Sequence, residues 1–196
     1  MKTIDNTNPA LILVDIQQGF DNISYWGGER NNPNAEANAR KLLDHWRANK
    51  LPLFHIQHCS TNPNSLLAES NQGNVHKEIV KPLPGEPVIK KSVNSSFIGT
   101  DLQQRLDVAN IDTLVIVGLT TEHCVSTTAR MAGNFGYKTY VVADATAAFA
   151  KTGINGEHYD AETIHLTALA MLNEEFATVL NTDEVINALK KNDDFL

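Results

Sequence analysis

Strand-length apolar runs alternate with segments of helical periodicity along this chain. The first run, residues 10–14, is uninterrupted in apolar residues, and a later one, residues 113–117, is rich in β-branched residues and is followed by Gly118. Helical patterns lie between such runs, for example over residues 33–50. Uninterrupted apolar strands are typical of sheets buried on both faces. Their alternation with helices predicts a mostly parallel sheet that is covered on both sides.

Six strands and five helices are predicted from these patterns. The strands are expected over residues 10–14, 51–57, 87–90, 113–117, 139–143 and 176–180. The helices are expected over residues 33–50, 100–108, 122–135, 158–174 and 183–190, the first capped by Asn32 with Pro33 at its first position. The predicted fold class is α/β, a three-layer, doubly wound, Rossmann-like sheet. Because no repeat or Pro/Gly-rich linker divides the chain, we expect one domain over residues 1–196.

The charge distribution argues against two classes of partner. Lys and Arg number 16 and Asp and Glu 23, which gives a net charge of −7, and no stretch concentrates the basic residues. Proteins that bind nucleic acid or anionic membrane surfaces carry a basic patch, so neither partner is expected. The apolar runs are also too short to span a bilayer.

The N-terminal segment and the cysteines indicate a cytoplasmic location. Residues 1–9 are polar and lack the apolar core of a secretory signal. The two cysteines, Cys59 and Cys124, provide neither a disulfide framework nor a paired metal-binding spacing. A reducing compartment is therefore expected.

Three reactive side chains follow predicted strands directly. Asp15 follows the first strand, Lys91 the third, and Cys124 lies a short turn after the fourth. In doubly wound sheets ligands bind beyond the carboxyl ends of the strands, so these side chains are expected to converge. A cation and a helix N-terminus lower the pKa of a thiol, and a carboxylate can carry its proton. The trio therefore suggests nucleophilic attack by Cys124 on a carbonyl, with an oxyanion held by backbone N–H groups of the turn 120–124.

Each of the three residues also has a purely structural interpretation. An aspartate after a strand often serves as a turn or cap residue, and a cysteine in a helix is often a small buried hydrophobe. A lysine at a strand end is often solvated, and Lys90 is a second candidate beside Lys91. The trio alone leaves these alternatives open.

Three spaced motifs connect the chain with a known family. Residues 15–20 (DIQQGF), 91–97 (KSVNSSF) and 118–130 (GLTTEHCVSTTAR) resemble the motifs of the isochorismatase-like cysteine hydrolases, and the resemblance extends over residues 9–181. It implies a catalytic triad of Asp15, Lys91 and Cys124. Lys91 is preferred to Lys90 because of the number of residues that separate it from Phe97 within the motif.

The same resemblance implies a sheet order of 3-2-1-4-5-6 and a homo-oligomer, either a dimer or a tetramer. It also implies a cis peptide bond between Leu119 and Thr120. That bond would direct the backbone amides of Thr120 and Cys124 at an oxyanion.

Members of this superfamily hydrolyse several kinds of small molecule. The presence of Cys124 favours cleavage of an amide, ureide or lactam C–N bond through a thioester. One alternative is an isochorismatase-type vinyl-ether hydrolase, and another is a non-catalytic small-molecule-binding protein on the same fold. A nucleotide-binding module is disfavoured, because residues 15–20 contain one glycine and an acid where a phosphate loop needs several glycines.

No metal or other cofactor is expected. Nicotinamidases of this superfamily carry an Asp-x-His pair after the second strand, whereas residues 54–60 read FHIQHCS here. His55 and His58 lie three residues apart on a strand, and this spacing points them to opposite faces of the sheet. Ordinary hydrogen bonding is the expected role of both.

Five residues are expected to contact a small-molecule substrate. The first motif and the loop after it contribute Gln17, Phe20 and Trp26, and His58 and Leu119 are the other two. The loops 21–32 and 60–74 are long enough to determine specificity. Cys59 is expected to be a structural thiol.

Overall fold

The computed structural model describes residue 4 and residues 8–193. Six of its eight strands form one parallel sheet in the order β3-β2-β1-β4-β5-β8, and β6 and β7 form a separate antiparallel pair. The strands are β1 (Ala10–Val14), β2 (Leu53–His58), β3 (Val88–Lys91), β4 (Thr113–Leu119), β5 (Lys138–Ala147), β6 (Lys151–Thr152), β7 (His158–Tyr159) and β8 (Thr178–Leu180). The helices are α1 (Ile23–Trp26), α2 (Ala35–Ala48), α3 (Leu102–Val108), α4 (Ser126–Asn134), α5 (Ala161–Leu172) and α6 (Thr182–Asp193).

The parallel sheet is the middle of three layers, as the apolar pattern predicts. Every residue of β1 and of β4 is buried. Alternate residues of β1 enter two different cores: Ile12 packs in the core with residues of α3, α4 and α5, and Leu13 packs in the core with residues of α2 and α6. The predicted order 3-2-1-4-5-6 is confirmed, because the sixth predicted strand is β8 once the β6–β7 pair is numbered.

The prediction that Asn32 caps the first long helix is wrong. Helix α2 begins at Ala35, and Asn32 lies before it in the left-handed region with φ 43°. The side-chain amide of Asn32 instead donates to the carbonyl oxygens of Ala143 (2.9 Å) and Thr146 (2.8 Å). The residue therefore ties the start of α2 to the carboxyl end of β5.

The helix predicted over residues 158–174 is shorter in the structure. His158 and Tyr159 form β7 and pair with β6, and α5 begins at Ala161. The carboxylate of Asp160 accepts a hydrogen bond from the backbone N–H of Thr163 (2.6 Å) and caps α5. Helical periodicity alone does not reveal that residues 158–159 form a two-residue ladder with residues 151–152.

A close approach of β1 and β4 lies directly below the carboxyl edge of the sheet. Val14 is in register with Gly118, whose φ is 120°. A Cβ atom at Gly118 would lie 2.0 Å from the carbonyl oxygen of Val14, so only glycine fits there.

None of the helices in the described part of the chain has the length and apolar character needed to cross a membrane.

Candidate functional site

Asp15, Lys91 and Cys124 meet at the carboxyl edge of the sheet. The Nζ atom of Lys91 lies 2.6 Å from Oδ2 of Asp15 and 3.3 Å from Sγ of Cys124. It also donates to the carbonyl oxygen of Val93 at 3.1 Å. The side chains of Asp15 and Lys91 are fully buried, so the ammonium bridges a carboxylate and a thiol away from bulk water.

Strand order explains this convergence. Asp15 follows β1 in the left-handed region (φ 50°), and Lys91 is the last residue of β3. Cys124 lies in a π-helical turn, Thr121–Val125, that links β4 to α4. Because β1 and β4 are neighbours in the sheet, Asp15 and Cys124 are adjacent, and the long side chain of Lys91 reaches them past β2.

The thiol of Cys124 does not have the lowered pKa that the sequence suggests. Burial raises the pKa of this thiol strongly, and the charge of Asp15 raises it further, while Lys91 opposes both effects. The positive charge of Lys91 is already balanced by the carboxylate of Asp15 at 2.6 Å. The resting site therefore holds a neutral thiol beside a buried ion pair.

His58 is a fourth polar group at this centre. Its Nδ1 atom lies 3.1 Å from Nζ of Lys91. Burial and the positive charge of Lys91 lower the pKa of His58. A neutral imidazole that accepts a hydrogen bond from the ammonium fits this environment.

Ligand atoms of Asp15, His58 and Cys124 lie within 4.8 Å of one another and could in principle hold a metal ion. However, Nζ of Lys91 is within hydrogen-bond distance of all three residues. The lysine ammonium thus occupies the position that a metal cation would take. His55, in contrast, bonds to Glu86 at 2.9 Å, so the two histidines of β2 do serve separate environments.

The peptide bond between Leu119 and Thr120 is cis, as the family resemblance implies. The carbonyl oxygen of Thr120 accepts hydrogen bonds from the backbone N–H groups of His123 and Val125, both at 3.2 Å. These bonds shape the turn that carries Cys124. Thr120 and Cys124 both line the cavity described next.

A cavity of about 350 Å³ opens above the thiol. This volume is at the small end of the range for ligand pockets. One wall is aromatic: the rings of Phe20 and Trp26 lie 4.7 Å apart, and those of Tyr25 and Trp26 lie 4.8 Å apart. The lining consists of Phe20, Tyr25, Trp26, His58, Ser60, Asn62, Ser65, Leu67, Asn94, Thr120, His123, Cys124 and Lys151.

Three of the five expected substrate contacts line this cavity, namely Phe20, Trp26 and His58. Gln17 does not, because it is fully buried and its amide bonds to the backbone of His58 and Asn74. Leu119 does not line it either, because it is buried behind the aromatic wall, in the apolar cluster that also contains Phe20 and Phe149. We therefore place Gln17 and Leu119 behind the cavity wall.

Asn94 and Lys151 are among the polar lining residues that the sequence analysis did not expect at the substrate. Asn94 lies within the second motif, between Lys91 and Phe97, and its Oδ1 atom is 3.9 Å from Sγ of Cys124. Its position in that motif was a usable signal. Lys151 lies in β6, and no motif of the sequence pointed to it.

Cys59 is half-buried and does not belong to the lining. Its Sγ atom receives a 3.8 Å contact from Nδ2 of Asn74. Burial raises the pKa of this thiol. The structural role expected for Cys59 stays a prediction.

The sheet and the site together define a doubly wound α/β protein with a cysteine-centred site at the topological switch point, where β1 and β4 diverge. The family model of the isochorismatase domain matches residues 9–184 of this chain. The uncharacterised isochorismatase family protein YrdC of Bacillus subtilis is 53% identical over 178 residues, 91% of this chain and 94% of that protein. An isochorismatase-family crystal structure from Chromobacterium violaceum has a TM-score of 0.93 and 39% identity and covers 97% of both chains. The chain belongs to the isochorismatase family and is a hydrolase of that family.

More distant relatives have named activities. Nicotinamidase 3 of Arabidopsis thaliana is 26% identical over 93% of this chain and 89% of its own length. A streptothricin hydrolase of Streptomyces noursei is 30% identical over 71% of this chain and 54% of its own length. The structure of N-carbamoylsarcosine amidase from Thermoplasma acidophilum has a TM-score of 0.72 and 26% identity, and covers 91% of this chain and 98% of that one.

Proposed function

We propose that this protein hydrolyses a C–N bond of a small amide, ureide or lactam through a thioester on Cys124. The observation that carries the proposal is the position of Nζ of Lys91, which lies 2.6 Å from Asp15 and 3.3 Å from Cys124, and Cys124 lines the cavity. A buried carboxylate, ammonium and thiol in contact form the set that nucleophilic acyl transfer needs.

In the first half-reaction the thiol proton moves to Asp15 as Sγ of Cys124 bonds to the carbonyl carbon. The transfer keeps the charge of the site constant, because the ion pair of Lys91 with Asp15 is replaced by one of Lys91 with the thiolate. The resulting oxyanion is stabilised by the backbone N–H groups of Thr120 and Cys124. The C–N bond then breaks, and the leaving nitrogen takes the proton from Asp15.

In the second half-reaction water hydrolyses the thioester. Asp15 removes a proton from the attacking water, which adds to the thioester carbon. The C–S bond breaks, Cys124 regains its proton, and a carboxylic or carbamic acid leaves the site. Lys91 keeps the carboxylate in place in both halves.

The relatives support this reaction class without defining the substrate. Two of them are named for an amidase or nicotinamidase activity and one for hydrolysis of streptothricin. The aromatic wall of Phe20 and Trp26 suits a small, planar acyl group. A vinyl-ether hydrolase is the second candidate, but it gives no role to a thiol beside a carboxylate. A non-catalytic binding protein likewise leaves the Lys91–Asp15 pair without a use.

The test measures ammonia release from a panel of small amides, ureides and carbamoyl compounds. The wild type is compared with Cys124→Ala and with Cys59→Ala, which removes the half-buried thiol outside the cavity. Release that is lost in Cys124→Ala and retained in Cys59→Ala supports the proposal. Release that persists in Cys124→Ala, or cleavage of a vinyl ether that does not need the thiol, contradicts it.

A further inference from the structure

Lys151 gives the cavity a charge that the proposed catalytic groups do not explain. Among the described residues that line the cavity, it is the one Lys or Arg, and no Asp or Glu is present there. The rest of that lining is aromatic, aliphatic or uncharged polar, apart from two histidines. The described lining of the cavity therefore carries one lysine and no aspartate or glutamate of its own.

The backbone of Lys151 is held from two directions. Lys151 pairs with Tyr159 in the β6–β7 ladder. The preceding residue, Ala150, donates its N–H to the carbonyl oxygen of Glu29 at 3.0 Å. Gly27 packs so closely on Ala150 that a Cβ atom there would lie 2.2 Å from the Ala150 carbonyl oxygen. The loop that carries the aromatic wall and the strand that carries Lys151 thus form one unit.

Glu122 holds the ammonium of Lys151 at the cavity wall. Its Oε1 atom lies 3.4 Å from Nζ of Lys151, and both of its carboxylate oxygens are buried without a hydrogen-bond partner in the described part of the chain. The side chain of Glu122 is 11% exposed and that of Lys151 33%. The 3.4 Å between Oε1 of Glu122 and Nζ of Lys151 exceeds the ~2.7–2.9 Å of a tight charged hydrogen bond. An ammonium has three N–H donors, so at least two are available to a ligand.

We infer that Lys151, positioned by Glu122, is the binding site for a carboxylate of the substrate. The inference rests on the proposed amide hydrolysis and narrows it: the substrate is a small amide or ureide that carries a carboxylate at the end opposite the scissile bond. The cavity volume of about 350 Å³ requires a short linker between the two groups. A cationic amide finds no counter-charge in the described lining and is disfavoured.

The test compares matched substrates that differ only in that carboxylate. Succinamate and glutaramate are the anionic amides, and succinamide and glutaramide are their neutral partners. The enzymes are the wild type, Lys151→Met, Lys151→Arg and Lys138→Met, the last removing an exposed lysine at the opposite end of β5. A double variant, Lys151→Met with Glu122→Gln, removes the buried carboxylate that the single change would leave without its lysine.

A second readout does not depend on turnover. Binding of succinate and glutarate is measured by calorimetry on Cys124→Ala, with and without Lys151→Met. Loss of a charged hydrogen bond is expected to weaken binding by about 10- to 100-fold. Thermal unfolding of each variant shows whether the fold is retained.

The expected result is a preference of the wild type for the anionic amides of about tenfold or more in kcat/KM. This preference should disappear in Lys151→Met and in the double variant but persist in Lys151→Arg and Lys138→Met. Equal turnover of both amide types, or a preference that survives Lys151→Met, overturns the subsite and leaves the proposed hydrolysis standing. If none of these four amides is cleaved, dicarboxylate binding that needs Lys151 supports the subsite, and the ammonia-release panel decides on the proposed hydrolysis separately. Absence of both turnover and dicarboxylate binding overturns the subsite.

Discussion

The side chain of Gln17 holds the backbone of His58 through both of its polar groups. Nε2 of Gln17 donates to the carbonyl oxygen of His58 at 3.0 Å, and the N–H of His58 donates to Oε1 of Gln17 at 2.9 Å. Nε2 also donates to the carbonyl oxygen of Asn74 at 2.7 Å. The first motif of the chain thereby positions the end of β2 and, with it, the imidazole that contacts Lys91.

Replacement of Gln17 by methionine is expected to destabilise the protein by about 1–3 kcal/mol, because the buried N–H of His58 loses its acceptor. The free energy of unfolding in urea measures this loss. Gln104→Met is the control, since Gln104 is exposed on α3. A loss for Gln17→Met no larger than that for Gln104→Met would show that the paired hydrogen bonds do not hold β2.

The buried pair of Lys91 and Asp15 predicts a strong dependence of stability on Lys91. Lys91→Met leaves a buried carboxylate without its cation, and removal of one partner of such a pair costs about 3–5 kcal/mol. Adding Asp15→Asn to this variant should restore part of the stability, because asparagine tolerates the left-handed backbone and carries no charge. Urea unfolding of the two single variants and the double variant measures the coupling.

The adjacent Lys90 provides the matched control. Its ammonium pairs with Glu69 at 2.6 Å, but both side chains are more than half exposed. Lys90→Met should therefore change the free energy of unfolding by about 1 kcal/mol at most. Similar losses for Lys90→Met and Lys91→Met would contradict the buried ion pair.

Buried histidines predict that acidification destabilises the fold. Burial lowers the pKa of His55 to about 4, against the opposing effect of Glu86. Between about pH 6.5 and pH 4, His55 therefore binds a proton in the unfolded chain but not in the folded chain. The free energy of unfolding falls as the pH falls through this window. His55 alone contributes about 3 kcal/mol to this loss. Burial also lowers the pKa of His58, His76 and His165, which adds to the loss in the same direction.

Urea unfolding at several pH values in this window tests the contribution of His55. The variant His55→Gln keeps a donor for Glu86 but does not titrate, so its stability should depend less steeply on pH than that of the wild type. His158→Gln, which changes an exposed histidine, is the matched control. An unchanged slope for His55→Gln would show that His55 is protonated in the folded protein.

The fold and the central trio could be predicted because their signals are local. Each predicted apolar run contains a strand, and three of the strands have a reactive side chain at their carboxyl end or in the turn that follows. Parallel strands therefore bring Asp15, Lys91 and Cys124 to one edge of the sheet. The sheet order came from the family resemblance, and the structure confirms it.

The remaining features depend on contacts between distant segments. Gln17 was expected at the substrate, but its amide is saturated by His58 and Asn74, more than 40 residues away. The direction of the thiol pKa depends on how deeply Cys124 is buried, which no local pattern reveals. Lys151 enters the cavity because a two-residue ladder and Glu122 place it there.

The most direct test of the role of Cys124 is mass spectrometry of the intact protein, quenched with acid during turnover of an amide that releases ammonia. We expect an adduct with the mass of the acyl group, mapped to Cys124 by peptide digestion, absent from Cys124→Ala and discharged by hydroxylamine. An adduct formed by Asp15→Asn should persist longest, because this variant cannot remove a proton from the water that attacks the thioester. Turnover that proceeds with no acyl adduct on Cys124, or an adduct on another residue, would contradict the thioester mechanism.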